Sequence, residues 1–103
     1  MAIIKSEHGE HQHVYGGVDP SGGMMFGEGF KSRKIKDGTY LIEFERPFRA
    51  NPAPVCTIFG HEWRTFDKSV ALVDVSPQHF ICVTSSPNYP EDSGFTFVAF
   101  GDV

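Results

Sequence analysis

The chain has 103 residues, with 13 acidic against nine basic side chains and a formal net charge of −4. That length fits one domain able to build its own core without metal or disulfide staples. The acidic balance leaves no basic footprint for nucleic acid, and no apolar run nears the ~20 residues that span a bilayer, so neither a nucleic-acid partner nor membrane insertion is expected. The first ten residues, MAIIKSEHGE, lack the charged start and apolar stretch of a secretory signal.

Taken in chain order, residues 1–12 read as a polar leader, and the domain as 13–103. HVYGGV at 13–18 is a first strand, ended by the turn DPSGG. MMFGEGFKSRKI at 24–35 reads as one strand interrupted by glycines, with room for a bulge. After the turn KDG comes TYLIEFERPF, which alternates: Tyr40, Ile42 and Phe44 on one face, Glu43 and Glu45 on the other. RANPAP at 49–54 reads as a loop, because its two prolines cannot donate to a ladder. VCTIF at 55–59, SVALVDV at 69–75, HFICVTS at 79–85 and GFTFVAF at 94–100 complete the set, with SPQ at 76–78 short enough for a hairpin. No window carries a sustained 3.6-residue apolar repeat. Six or seven short strands predict an all-β chain, an antiparallel sandwich or barrel.

Two strands break the pattern of one wet face. In the last strand Phe95 and Phe97 lie on one face while Val98 and Phe100 lie on the other. HFICV is likewise apolar on both sides. A two-layer sandwich has one interior, so the second apolar face predicts a homo-oligomer whose interface covers it. A barrel with an asymmetric core, or a few tolerated surface apolar residues, is the alternative. Cys56 and Cys82, the only cysteines, sit in apolar segments. They read as buried thiols, with a mutual disulfide as the other possibility.

The runs ERPFRANPAPVCTIFGHEW, VALVDVSPQHFICVTSS and SGFTFVAFGD resemble the H-type lectin family. The shared order is an aromatic strand, Pro-Phe, a short loop and Pro-Val, then a strand ending in Val-Ser-Pro, a Phe strand, and a final Phe-x-Phe-x-Ala. Upstream, Gly-x-Gly-Phe followed by Gly-x-Tyr is similar to domains at the ends of collagen-like stalks and phage tail fibres. The resemblance covers about residues 14–102. It implies a six- to seven-stranded antiparallel β-sandwich packed as a homotrimer, with a sugar bound at the ends of the sandwich. Sugar-binding groups of that family include an Arg, whose place here falls at about Asp67 or Lys68. They also include a Trp-His pair, whose place falls at about Pro87 and Asn88. Neither pattern is retained, so the resemblance speaks to fold rather than to ligand.

Two loops remain as candidate ligand sites. GHEWRTFDKS at 60–69 holds the only Trp, Trp63, with Arg64, Asp67 and Lys68 beside it. Sugar sites need an aromatic face for the C–H side of the ring and a few fixed polar groups for its hydroxyls. SSPNYPEDSG at 85–94 is long for a hairpin loop and stiffened by prolines, with Asn88 and Tyr89 at its centre. Trp63 or Tyr89 is the expected platform, with Arg64, Asp67, Lys68 and Asn88 as polar partners. Alternatively, Trp63 packs on the sandwich end and the charges are solvated.

The front segment SEHGEHQHVY at 6–15 carries His8, His11 and His13. In an extended strand His11 and His13 share a face. One chain thus offers two ligands, too few for a stable site. Three copies around an axis would offer six nitrogens, enough for iron, nickel or zinc. His8 would cap such a cluster or hang free. No cofactor is required by any motif. There is no Gly-x-Ser-x-Gly elbow or paired-carboxylate pattern, and GEGF lacks the Lys-Ser/Thr of a phosphate loop, so no enzymatic activity is expected. The expected function is a trimeric glycan-binding module for surface recognition. The alternative is a structural trimerisation or tip domain of a fibre.

Overall fold

A computed structural model describes residues 2–6 and 9–103 of the chain. Among the described residues there are nine strands, more than the six or seven expected, and one short helix: β1 (Ala2–Ser6), β2 (Gly9–Val18), β3 (Met24–Glu28), β4 (Phe30–Lys36), β5 (Thr39–Phe44), β6 (Ala53–Ile58), α1 (Glu62–Thr65), β7 (Ser69–Val75), β8 (His79–Ser85) and β9 (Phe95–Asp102). They form a β-sandwich of two antiparallel sheets. One runs β1-β2-β9-β6, with β3 paired to the second half of β2 beside β1; the other runs β4-β5-β8-β7.

Several boundaries differ from the sequence reading, three of them for a clear local reason. Residues 2–6 and 9–12, read as a polar leader, are strand. The end of β9 continues past Phe100, and its ladder runs on through Gln12↔Gly101 and His11↔Asp102. Gln12 is fully buried there and donates to the Arg46 carbonyl at 3.0 Å. The 24–35 stretch is two strands in different sheets. Gly29, at φ 87°, supplies the corner between them, a backbone setting that L side chains avoid. Pro54 lies inside β6, opposite Ala99. This is tolerated because β6 is an edge strand, paired on one side only.

The core follows from the pleat. Tyr40, Ile42 and Phe44 of β5, Phe80 and Cys82 of β8, Val14 and Val18 of β2, and Phe95, Phe97 and Ala99 of β9 all turn inward and are buried. Glu43 and Glu45 are exposed. Edge-to-face aromatic pairs tie the two layers, Phe97 meeting Phe30 at 4.9 Å and Phe80 at 5.1 Å, and Phe44 meets Phe48 of the connection that follows it at 4.9 Å. Gly16 makes room for this packing, since a Cβ there would fall 2.3 Å from the Phe30 ring.

The outer face of the larger sheet is apolar as well. The ladder lines up Tyr15, Val98 and Val55 in one row and His13, Phe100 and Ala53 in the next. Tyr15, Val55, Val98 and Phe100 are each between 42% and 61% exposed. The double-sided reading of the last strand is therefore correct at the level of the single chain. In the smaller sheet Ile81 and Val83 sit half-buried outside the core.

The chain crosses between sheets four times, and the crossings sort to two ends. At one end the β3–β4 corner, the 45–52 connection and the 76–78 hairpin meet: Glu45 N–H donates to the Gly29 carbonyl and Phe48 N–H to the Pro77 carbonyl, both at 2.9 Å. At the opposite end four connections gather: 19–23, the turn at 37–38, 59–68 and 86–94. Phe59 N–H donates to the Gly94 carbonyl at 3.0 Å, and the Tyr40 hydroxyl donates to the Pro20 carbonyl at 2.8 Å.

Candidate functional site

The crowded end holds both loops singled out in the sequence. The first carries α1, a single turn that sequence periodicity is too short to reveal. His61 caps it, its Nδ1 accepting from Trp63 N–H at 3.3 Å, and Phe66 N–H closes the turn on the Glu62 carbonyl at 3.3 Å. None of its residues is buried. Trp63 is 75% exposed and Phe66 77%, so both rings face solvent. With Glu62 they line an open recess of about 180 Å³. Arg64 is exposed on the same turn. Phe66 was not singled out from the sequence. It stands three residues after Trp63, one helical turn away, a relation that counts only once the segment is known to be helical.

The second loop is tightly tied. Ser86 N–H donates to the Tyr89 carbonyl at 3.0 Å, Asn88 N–H donates to Ser86 Oγ at 3.3 Å, and Thr84 Oγ1 donates to the Glu91 carbonyl at 2.6 Å. Asp92 accepts from Lys34 Nζ at 2.6 Å and from Gly38 N–H at 2.7 Å. Partial burial disfavours the Asp92 carboxylate, yet Lys34 and the Gly38 N–H outweigh it and hold the group below its ordinary value. The turn at Gly38 is itself constrained. Its φ is 69°, and a Cβ would fall 2.5 Å from the Thr84 carbonyl oxygen. This scaffold presents Tyr89, 61% exposed, over a recess of about 270 Å³ lined also by Asp37, Pro90, Glu91 and Asp92.

The two loops are joined by one ion pair. Lys68 Nζ lies 2.7 Å from Glu91 Oε1 and 3.7 Å from Asp67 Oδ1, with its side chain only 8% exposed. The Glu91 contact raises the ammonium above its ordinary value. Lys68 is thus a tether between loops, already partnered, rather than a free polar group for a ligand. Of the six residues expected at a ligand site, Trp63 and Arg64 stand on α1, Asp67 and Lys68 follow it, and Asn88 and Tyr89 form the opposite tip. All reach one end of the sandwich, but Trp63 and Tyr89 line separate recesses.

The histidine face lies elsewhere. His11 and His13 flank Phe100 on the outer side of the larger sheet, with ring centroids 5.7 Å and 4.7 Å from it. His11 Nδ1 sits 2.7 Å from Asp102 Oδ1. Among the described residues, no three His, Cys, Asp or Glu side chains gather as a metal site. His8 lies outside the described residues.

Compared with family models, with curated proteins and with solved structures, the chain gives no match.

Proposed function

We propose that this protein is a non-enzymatic glycan-binding module that works as a homotrimer, with the sugar received at the crowded end of the sandwich. The observation that carries the reading is the pair of uncovered rings, Trp63 and Phe66, set beside the carboxylate of Glu62 in one recess. Apolar ring faces stack on the C–H side of a pyranose, and a carboxylate accepts from its hydroxyls. Tyr89, with the exposed carboxylate of Asp37, sets a second ring beside a carboxylate a short way off. Carboxylates in both recesses favour a neutral sugar over an acidic one.

The trimer rests on the apolar rows Tyr15–Val98–Val55 and His13–Phe100–Ala53. Three shallow sites on one rigid particle gain about 10²–10⁴ in avidity over a single site. The same assembly is what an ion of iron, nickel or zinc would require, since one chain brings only His11 and His13. Those apolar rows equally suit a second reading, a structural trimerisation or tip domain of a fibre without a small ligand. A glycan array read at matched protein concentration separates the two. The lectin reading expects binding to neutral glycans that Trp63→Ala abolishes. A blank array for the wild-type protein contradicts it and leaves the structural reading.

A further inference from the structure

The fold turns its two cysteines toward each other across the core. Cys56 lies on β6, opposite Phe97 in the ladder. Phe97 packs edge-to-face on Phe80 at 5.1 Å. Phe80 is two residues before Cys82 and shares its inward face on β8, where both are fully buried. Cys56, half-buried, packs against the same cluster. Both are free thiols, and the two groups interact across the core.

We propose that Cys56 and Cys82 are a cross-sheet dithiol that closes to a disulfide on exposure to a small-molecule disulfide such as oxidised glutathione. The Cys56 sulfur, the more accessible of the two, gives up its proton and attacks one sulfur of the glutathione disulfide. That S–S bond breaks, and one glutathione leaves as a thiolate that takes up the proton. The Cys82 sulfur then loses its proton, attacks Cys56 in the mixed disulfide, and displaces the second glutathione, which leaves as the thiol. Two protein thiols are oxidised, one glutathione disulfide is reduced to two thiols, and no other reactant is needed.

The order of attack has a physical basis. The Cys82 thiol beside it draws the Cys56 thiol below its ordinary value. That same contact, together with burial, pushes Cys82 far above its own. A bond between 56 and 82 joins β6 of one sheet to β8 of the other and encloses the whole crossing segment that carries α1. It would fix the base of the Trp63 loop whether or not that loop binds a sugar.

The test is intact-mass measurement of the purified protein after incubation with oxidised glutathione. The expected product has lost two hydrogens, runs as a single chain under non-reducing conditions, and yields one peptide cross-linked through Cys56 and Cys82. Its melting temperature should rise by about 10 °C or more and return with dithiothreitol. Cys82→Ala should stop at one glutathione on Cys56, and Cys56→Ser should stay unmodified. Unchanged thiols in the wild-type protein, a lasting glutathione adduct, or disulfides between chains would each overturn the proposal. Should the variants misfold, the wild-type mass and melting measurements decide it alone.

Discussion

Phe97 and Phe100 stand three residues apart on β9, and the pleat sends them to opposite faces. Phe97 is 4% exposed and sits edge-to-face with Phe30 and Phe80; Phe100 is 46% exposed. Truncating a core Phe to Ala costs about 3–5 kcal/mol, and two lost ring pairs place Phe97→Ala toward the upper end. A domain of this size has a total stability of about 5–15 kcal/mol. The variant therefore loses a third or more of it, and at about 4–8 °C per kcal/mol the melting temperature falls by roughly 15 °C or more. Phe100→Ala removes a ring that is already half wet in the single chain, so its cost there stays below about 1 kcal/mol. In a trimer that ring is covered, and its truncation costs more as protein concentration rises. Urea denaturation followed by far-ultraviolet circular dichroism, across a roughly hundredfold range of concentration, reads both effects. Trp63 is too exposed to serve as the probe. Equal losses for the two variants at the highest dilution would refute the division of β9 into a core face and an outer face.

Three other outcomes are expected. Trp63→Ala and Phe66→Ala should abolish glycan binding in titrations while shifting stability by less than about 0.5 kcal/mol, since neither ring is buried; loss of folding in either would place that ring in the core instead. Asp92 has a depressed folded value, so its stabilising share is present above the ordinary carboxyl value of 3.8 and is lost as pH falls below it. Melting curves of Asp92→Asn and wild type should accordingly lie apart at neutral pH and converge on acidification; a gap that stays constant to pH ~3 would contradict the Lys34 and Gly38 contacts. Gly38→Ala places a Cβ against the Thr84 carbonyl at a positive φ and should cost about 1–3 kcal/mol in thermal or urea unfolding; a neutral result would mean the 85–94 loop is not braced on that turn.

The elements legible in the sequence are those whose side chains declare a face. TYLIEF alternates and became β5 with Tyr40, Ile42 and Phe44 inside, and SVALVDV and HFICVTS were placed to the residue. What escaped had no such signal. β1 and the start of β2 are held by ladder pairing and by buried Gln12, and a polar residue with a specific partner looks like any other polar residue in the sequence. The split at Gly29 depends on one positive φ, which a glycine permits but does not announce. At the candidate site, loop length and the lone Trp pointed to two loops that the fold brings to one end of the sandwich. They did not reveal that Lys68 is taken by Glu91, because that pair spans 23 positions and forms only when two crossings meet. Phe66 was hidden for the same kind of reason, its value resting on a helical turn too short to leave a pattern.

We propose that the apolar outer rows of β2, β9 and β6 are covered by sister copies, which present three sugar sites on one particle. Native mass spectrometry of the purified protein reads the number of copies. A particle of about 35 kDa, three times the 11.5 kDa chain, is the expected result. A single 11.5 kDa chain at every concentration measured would contradict it.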